Sequence, residues 1–187
     1  MPSPVGHLLG GAALYIATAP QYRSRATLAV ATLGSIAPDF DFLPGILIGE
    51  PAAFHHGVSH SLAFAIFLGA LVFISLHFYE QKRIARQAAF LGAVAYTLHI
   101  IFDAVSANNS VPLLWPVFSE KIGINVNLFG HFHHGGLEHG IWSVVHWDNL
   151  SPVIRELTIL GIPVVVLLAW KERCRWTNVF QLSRKYK

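Results

Sequence analysis

Ser61–Tyr79 reads SLAFAIFLGALVFISLHFY, nineteen residues without a Lys, Arg, Asp or Glu. A run of that length and apolarity is long enough to cross the hydrocarbon core of a bilayer as one helix. Working outward, Ala88–Val105 (AAFLGAVAYTLHIIFDAV) has a similar length and carries one histidine and one aspartate. Ile154–Trp170 is a third such run, with Arg155 and Glu156 at its entrance and Pro163 inside, where a proline kinks a membrane helix without ending it. Leu8–Ala19 and Ala26–Ala37 are shorter and read as tilted spans, with a re-entrant hairpin as the alternative. The expectation is an all-α integral membrane bundle of about five transmembrane helices. It forms a single membrane-embedded domain over residues 1–187, ending in a basic cytoplasmic tail at 171–187. The Pro38–Pro44 and Pro112–Pro116 interruptions are expected to be non-helical and covered by protein.

The composition agrees. Apolar residues make up 53% of the 187 residues and charged residues only 12%, against about 25% charged in soluble chains. Mean hydropathy is +0.50. The net charge of +3 does not point to nucleic acid, because the basic residues flank apolar segments and form no basic-aromatic stripe. The one cysteine, Cys174, excludes an internal disulfide framework and reads as incidental or as a lipidation site. Pro2 and Pro4 precede the first apolar run with no Lys or Arg before it, unlike a signal peptide, so Met1 onward is expected to be mature protein.

Eleven of the thirteen basic residues fall in Gln21–Arg25, Glu80–Gln87 and the tail from Lys171, which lie on one side if there are five spans. The positive-inside rule makes that side cytoplasmic. Ten of the eleven histidines lie on or near the other side, with His77 the exception, and Asp39, Asp41 and Asp103 converge there too. Lys and Arg alone set the topology, so this convergence is independent of it. Ionisable groups near a bilayer are costly and normally functional.

Three motifs carry the chemistry. Asp39-Phe40-Asp41 offers two carboxylates on a turn, able to divide metal ligation and ligand orientation between them. A solvated turn would look the same. His55-His56-Gly57-Val58-Ser59-His60 supplies three imidazoles, with His56 and His60 four apart on what reads as the opening turn of a helix. Such a set suits zinc or another borderline transition metal; the bland alternative is a polar helix entrance. His99 and Asp103 are also four apart, inside a spanning helix, where an unpaired carboxylate would be expensive. Either both bind metal, or Asp103 orients His99, or the two form a plain core hydrogen bond. His7, before the first apolar run, is an additional candidate ligand.

His131, His133, His134 and His139, with Glu138, form a second cluster in the long outer loop. His134 and Glu138 are candidate ligands of a further metal or parts of a mobile lid. The glycines around them argue against a stable helix, and a surface loop rich in histidine by chance is the alternative.

Taken in order, Gly6-His7-Leu8-Leu9, Pro38-Asp39-Phe40-Asp41, His55 through Leu62, His99 through Asp103 and Val111 through Pro116 resemble a family of bacterial inner-membrane metal-dependent hydrolases with LexA-regulated members. The resemblance covers roughly residues 6–116. It implies a multi-pass protein of the bacterial inner membrane. This chain has His56 where that family usually has arginine, and Ser59 where it has threonine, so the family's guanidinium is missing as a phosphate clamp. The order His, Asp, His, His-x-x-x-Asp, His-x-x-x-Glu is also weakly similar to zinc-dependent phospholipase C, a pattern that His134 and Glu138 would complete.

The expected function is hydrolysis of an ester or phosphoester, by a water activated on a divalent metal at the extracytoplasmic face. Zinc is the first choice, with manganese or iron (Mn2+ or Fe2+) as alternatives. Asp39, Asp41, His60 and Asp103 are the candidate catalytic groups. Membrane lipids are the expected partners and a lipid or lipid-linked molecule the expected substrate, with no nucleic acid. The alternative is a non-catalytic metal-binding, transport or sensing protein, though the cytoplasmic halves of the spans offer little polar path. Haem ligation is a third reading, disfavoured by the carboxylates.

Overall fold

The structure is a computed structural model that describes residues 3–50, 53–106, 109–124, 126, 128–129, 147–171 and 173. It is helical, as the hydropathy pattern predicts. α1 (Pro4–Ala17) starts where Ser3 caps the Gly6 amide and Pro4 takes the first helical position, which needs no amide donor. α2 (Arg25–Gly34) opens on a capping box between Ser24 and Thr27. α3 (Phe42–Leu47) follows at once after a 3-10 turn at Ala37–Asp41. α4 (Leu62–His77) is capped by Ser61, and α5 (Lys82–Ala104) is the longest element of the central bundle. α6 is the 25-residue helix Trp147–Lys171, widened into a π turn at Leu157–Gly161.

By length and apolarity α5 and α6 are candidate membrane spans, and the α2–α3 pair, bent by 56° at its break, is a third. α1 and α4 are apolar but shorter, with 14 and 16 residues; sixteen residues reach about 24 Å. Each of the five expected segments contains a helix, but among the described residues two of them, or three counting the bent pair, are long and apolar enough to be candidate spans. The Pro38–Pro44 stretch corrects one expectation, because it is helical throughout. Pro38 stands at the start of the 3-10 turn and Pro44 in the first turn of α3, where a missing N–H breaks no helical bond. Residues 112–116 do run as turns.

α5 is the axis of the bundle and packs against α4, α2 and α1. Its inner face is small: Ala85, Ala88 and Ala95 are fully buried. Small residues let membrane helices approach closely. Gly11 shows how closely on α1, since a Cβ there would stand 2.4 Å from the Ala31 carbonyl of α2. Around the C-terminal half of α5, Tyr96, Ile100 and Ala104 form a core with Ala65 of α4 and Val111 of the following loop. Large residues on the outside are exposed, such as Ile66, Phe67, Ile74 and Phe90, as lipid-facing positions should be.

Candidate metal centre

Four separate pieces of chain bring the site together at one end of α5. α1 contributes His7 from its first turn and α5 contributes His99 and Asp103 from its last two. The 3-10 turn before α3 supplies Asp39 and Asp41. The turns leading into α4 supply His55, His56 and His60, and Ser35 follows α2. The basic residues Arg83 and Arg86 sit at the opposite end of α5, where Arg83 bonds the Tyr22 hydroxyl.

Asp103 is the hub. Its Oδ2 lies 3.1 Å from His99 Nε2, 3.3 Å from His60 Nε2 and 3.6 Å from His56 Nε2, and its Oδ1 lies 3.5 Å from His7 Nε2. Asp39 Oδ1 approaches His99 Nε2 at 3.3 Å and His60 Nε2 at 3.9 Å. The side chains of His7, His60, His99 and Asp103 are wholly inaccessible to solvent. Yet among the described residues the Nε2 atoms of His7, His56, His60 and His99, Asp39 Oδ1 and both Asp103 oxygens make no hydrogen bond. Leaving a buried polar atom unpartnered costs about 1–3 kcal/mol, so a cluster of them is suited to holding a bound cation.

The spacing fits a metal ion. Around a tetrahedral zinc with bonds near 2.0–2.1 Å, ligand atoms stand roughly 3.3 Å apart. One ligand atom each from Asp39, His60, His99 and Asp103 falls within 4.8 Å of the other three. The imidazoles are also oriented for it. His99 Nδ1 donates to the Ser35 carbonyl at 2.8 Å, which leaves Nε2 with its lone pair facing the cluster. His60 Nδ1 is held by Asp41 Oδ2 at 3.1 Å and by Ser59 Oγ at 3.1 Å. Tyr96 of α5 steadies this turn by donating to the Ser59 carbonyl at 2.7 Å.

Asp39 and Asp41 face different partners. Asp39 lies in the group that could hold a metal ion, while Asp41 faces His55 Nδ1 at 3.0 Å, His60 Nδ1 and Ser59. His56 and His60 do both reach Asp103, but not from a helix. Residues 53–60 are turns, α4 begins only at Leu62, and His56 has a φ of +54°. A non-glycine residue in that region is strained, and such strain gathers at functional sites. Burial lowers the His56 pKa. Burial acts the same way on His60, but Asp103 and Asp41 outweigh it and the pKa is raised.

One residue of the site's scaffold escaped the sequence reading. Glu156 of α6 is fully buried and accepts from the Ser3 amide at 2.6 Å and from the Ser3 hydroxyl. It thus docks the N-terminus of α1 one turn before His7, and a Cβ on Gly6 would meet its Oε2 at 2.9 Å. A carboxylate at a helix N-terminus is favourable. The sequence signal was slight, an acidic residue at the mouth of an apolar run. His134 and Glu138 lie outside the described residues.

No curated protein and no solved structure matches the chain. The sequence profile of the YdjM inner membrane protein family matches residues 1–174. That span takes in the candidate metal centre and the six helices described above, and it agrees with the inner-membrane resemblance carried by the motifs. The chain belongs to the YdjM inner membrane protein family.

Proposed function

We propose that this protein is a membrane-embedded, metal-dependent hydrolase of an ester or phosphoester carried by a lipid or lipid-linked substrate. The observation that carries the reading is the buried set of unpartnered imidazole and carboxylate atoms at ligand spacing around Asp103. Asp39, His60, His99 and Asp103 would hold the ion, with His7 beside them; zinc is the first choice and Mn2+ or Fe2+ the alternatives. Such an ion lowers the pKa of bound water to about 7 and polarises an ester oxygen.

The protein's own groups support the rest. Asp39, His55 and His56 keep side-chain exposures of 15%, 10% and 13%, so among the described residues the site is most open on their side. Asp39 is the one partly exposed carboxylate of the ligand group, and in this reading it would take a proton from an incoming water. Next to this opening, α3 presents Leu43, Ile46 and Leu47 outward, and Phe40 and Phe54 are about half exposed. An apolar rim beside a polar centre suits a substrate with acyl chains and a polar head.

The orientation drawn from the basic loops would put this opening at the extracytoplasmic face. A non-catalytic metal-holding role is favoured by one feature, the complete enclosure of four of the side chains, because closed sites are commonly structural. Detergent-purified protein, metal-loaded and chelated, assayed against phosphatase, lipase and nuclease substrates, separates the readings. Turnover of a lipid ester or phosphoester that chelation abolishes is expected. Bound metal with no hydrolysis across the panel would leave the non-catalytic role.

A further inference from the structure

Asp103 presents two oxygens to a fan of four imidazoles. Neighbours in the fan run from His7, stacked on His99 at 3.6 Å, through His60 at 5.3 Å from His99, to His56 at 4.9 Å from His60. His55 stacks on the outer side of His56 at 4.0 Å. The ligand atoms fall into two groups, Asp39/His60/His99/Asp103 and His55/His56/His60, which overlap only at His60. The first group completes the four positions of one tetrahedral ion. That leaves the Nε2 atoms of His7 and His56 buried and without a hydrogen bond, 3.5 Å from Asp103 Oδ1 and 3.6 Å from Asp103 Oδ2, and of the two His56 lies on the more open side.

We propose that the centre takes two divalent cations bridged by the Asp103 carboxylate: an inner one in the Asp39/His60/His99/Asp103 group, and an outer one on His55 and His56. The proposal rests on the metal-binding half of the hydrolase reading. Two further observations point the same way. The backbone at His56 is held in the left-handed region although it is not a glycine, and the strain is retained where it aims an otherwise unpartnered nitrogen at Asp103. Charge agrees as well. Asp39, Asp41 and Asp103 bring three carboxylates to one enclosure, so a single divalent ion leaves it net negative if all are ionised. A second ion reverses that sign and offers two metals to one anionic group, an arrangement suited to in-line displacement at phosphorus. The outer position differs in access, since His55 and His56 are partly exposed while His60 and His99 are not. It should therefore exchange faster.

The test is metal stoichiometry on the full-length protein in detergent, by zinc titration and elemental analysis, with manganese loading for electron paramagnetic resonance. Wild-type protein should bind two equivalents at the centre, the second more weakly, and the manganese form should show an exchange-coupled pair. His56→Ala should retain one tight equivalent and lose the coupling, whereas His134→Ala, altered in the second histidine cluster of the sequence, should keep both. One equivalent in saturated wild-type protein would overturn the second cation and leave the single-metal hydrolase standing. So would a second equivalent that survives His56→Ala but disappears with His134→Ala. No bound metal at all would overturn the inference and the metal reading together. Two coupled ions with no hydrolytic activity would uphold the inference and sink the hydrolase. The wild-type stoichiometry and resonance decide the matter even if His56→Ala fails to fold.

Discussion

At the scale of single residues, the His99–Asp103 pair bears the greatest weight. Both side chains are enclosed, and their free atoms face Asp39, His60, His56 and His7 rather than each other alone. His99→Ala and Asp103→Ala should each weaken zinc binding by more than the 10–100-fold typical of an orienting group, read by titration of folded protein. Full occupancy in both variants would make the pair a structural one. This pair was legible in the sequence because α5 is a regular helix, and four residues bring two side chains to one face. His56 and His60 were legible as partners for a different reason than their spacing gave. Their convergence comes from a turn with a positive φ, which a helical period cannot anticipate. Glu156 was illegible as a partner of Ser3, because a contact across 153 residues leaves no local pattern.

At the scale of elements, α1 carries His7, and its position is set from both ends. Glu156 receives its N-terminus, while Arg23 bonds the Ile16 and Thr18 carbonyls at 2.5 and 3.1 Å at its C-terminus. Lys171 of α6 adds bonds to the same two carbonyls. Acid at the start and base at the end both complement the helix dipole. Glu156→Leu would leave the Ser3 amide and the Ser3 hydroxyl proton without an acceptor, about 1–3 kcal/mol for each. It should lower the melting temperature and, through His7, weaken zinc binding by roughly tenfold. Glu156→Gln, which can still accept from the amide and donate to the hydroxyl, should recover most of the zinc affinity. A lowered melting temperature with unchanged zinc affinity in the Leu variant would confine Glu156 to anchoring the fold. The helical character of these elements was plain from hydropathy. Their lengths were not, because caps such as Ser61 and the early turn after Gly34 set the ends.

At the scale of the whole molecule, the centre and the basic residues Arg83 and Arg86 occupy opposite ends of α5. If the basic end is cytoplasmic, a cysteine placed in residues 80–87 of a Cys174→Ser protein should resist impermeant labelling of intact cells. One placed at Val117, exposed at the other end, should react. The reverse pattern would move the centre to the cytoplasmic side. The clasp of α6 on α1 has a consequence for biogenesis. The ribosome releases the N-terminal helix long before residues 147–171, and the contacts that seat it join positions 153 and 155 residues apart. His7 is thus made before the helix that seats it. A nascent chain still lacking α6 already carries His55, His56, His60, His99 and the three aspartates, but the His7 side of the centre closes only once α6 is made.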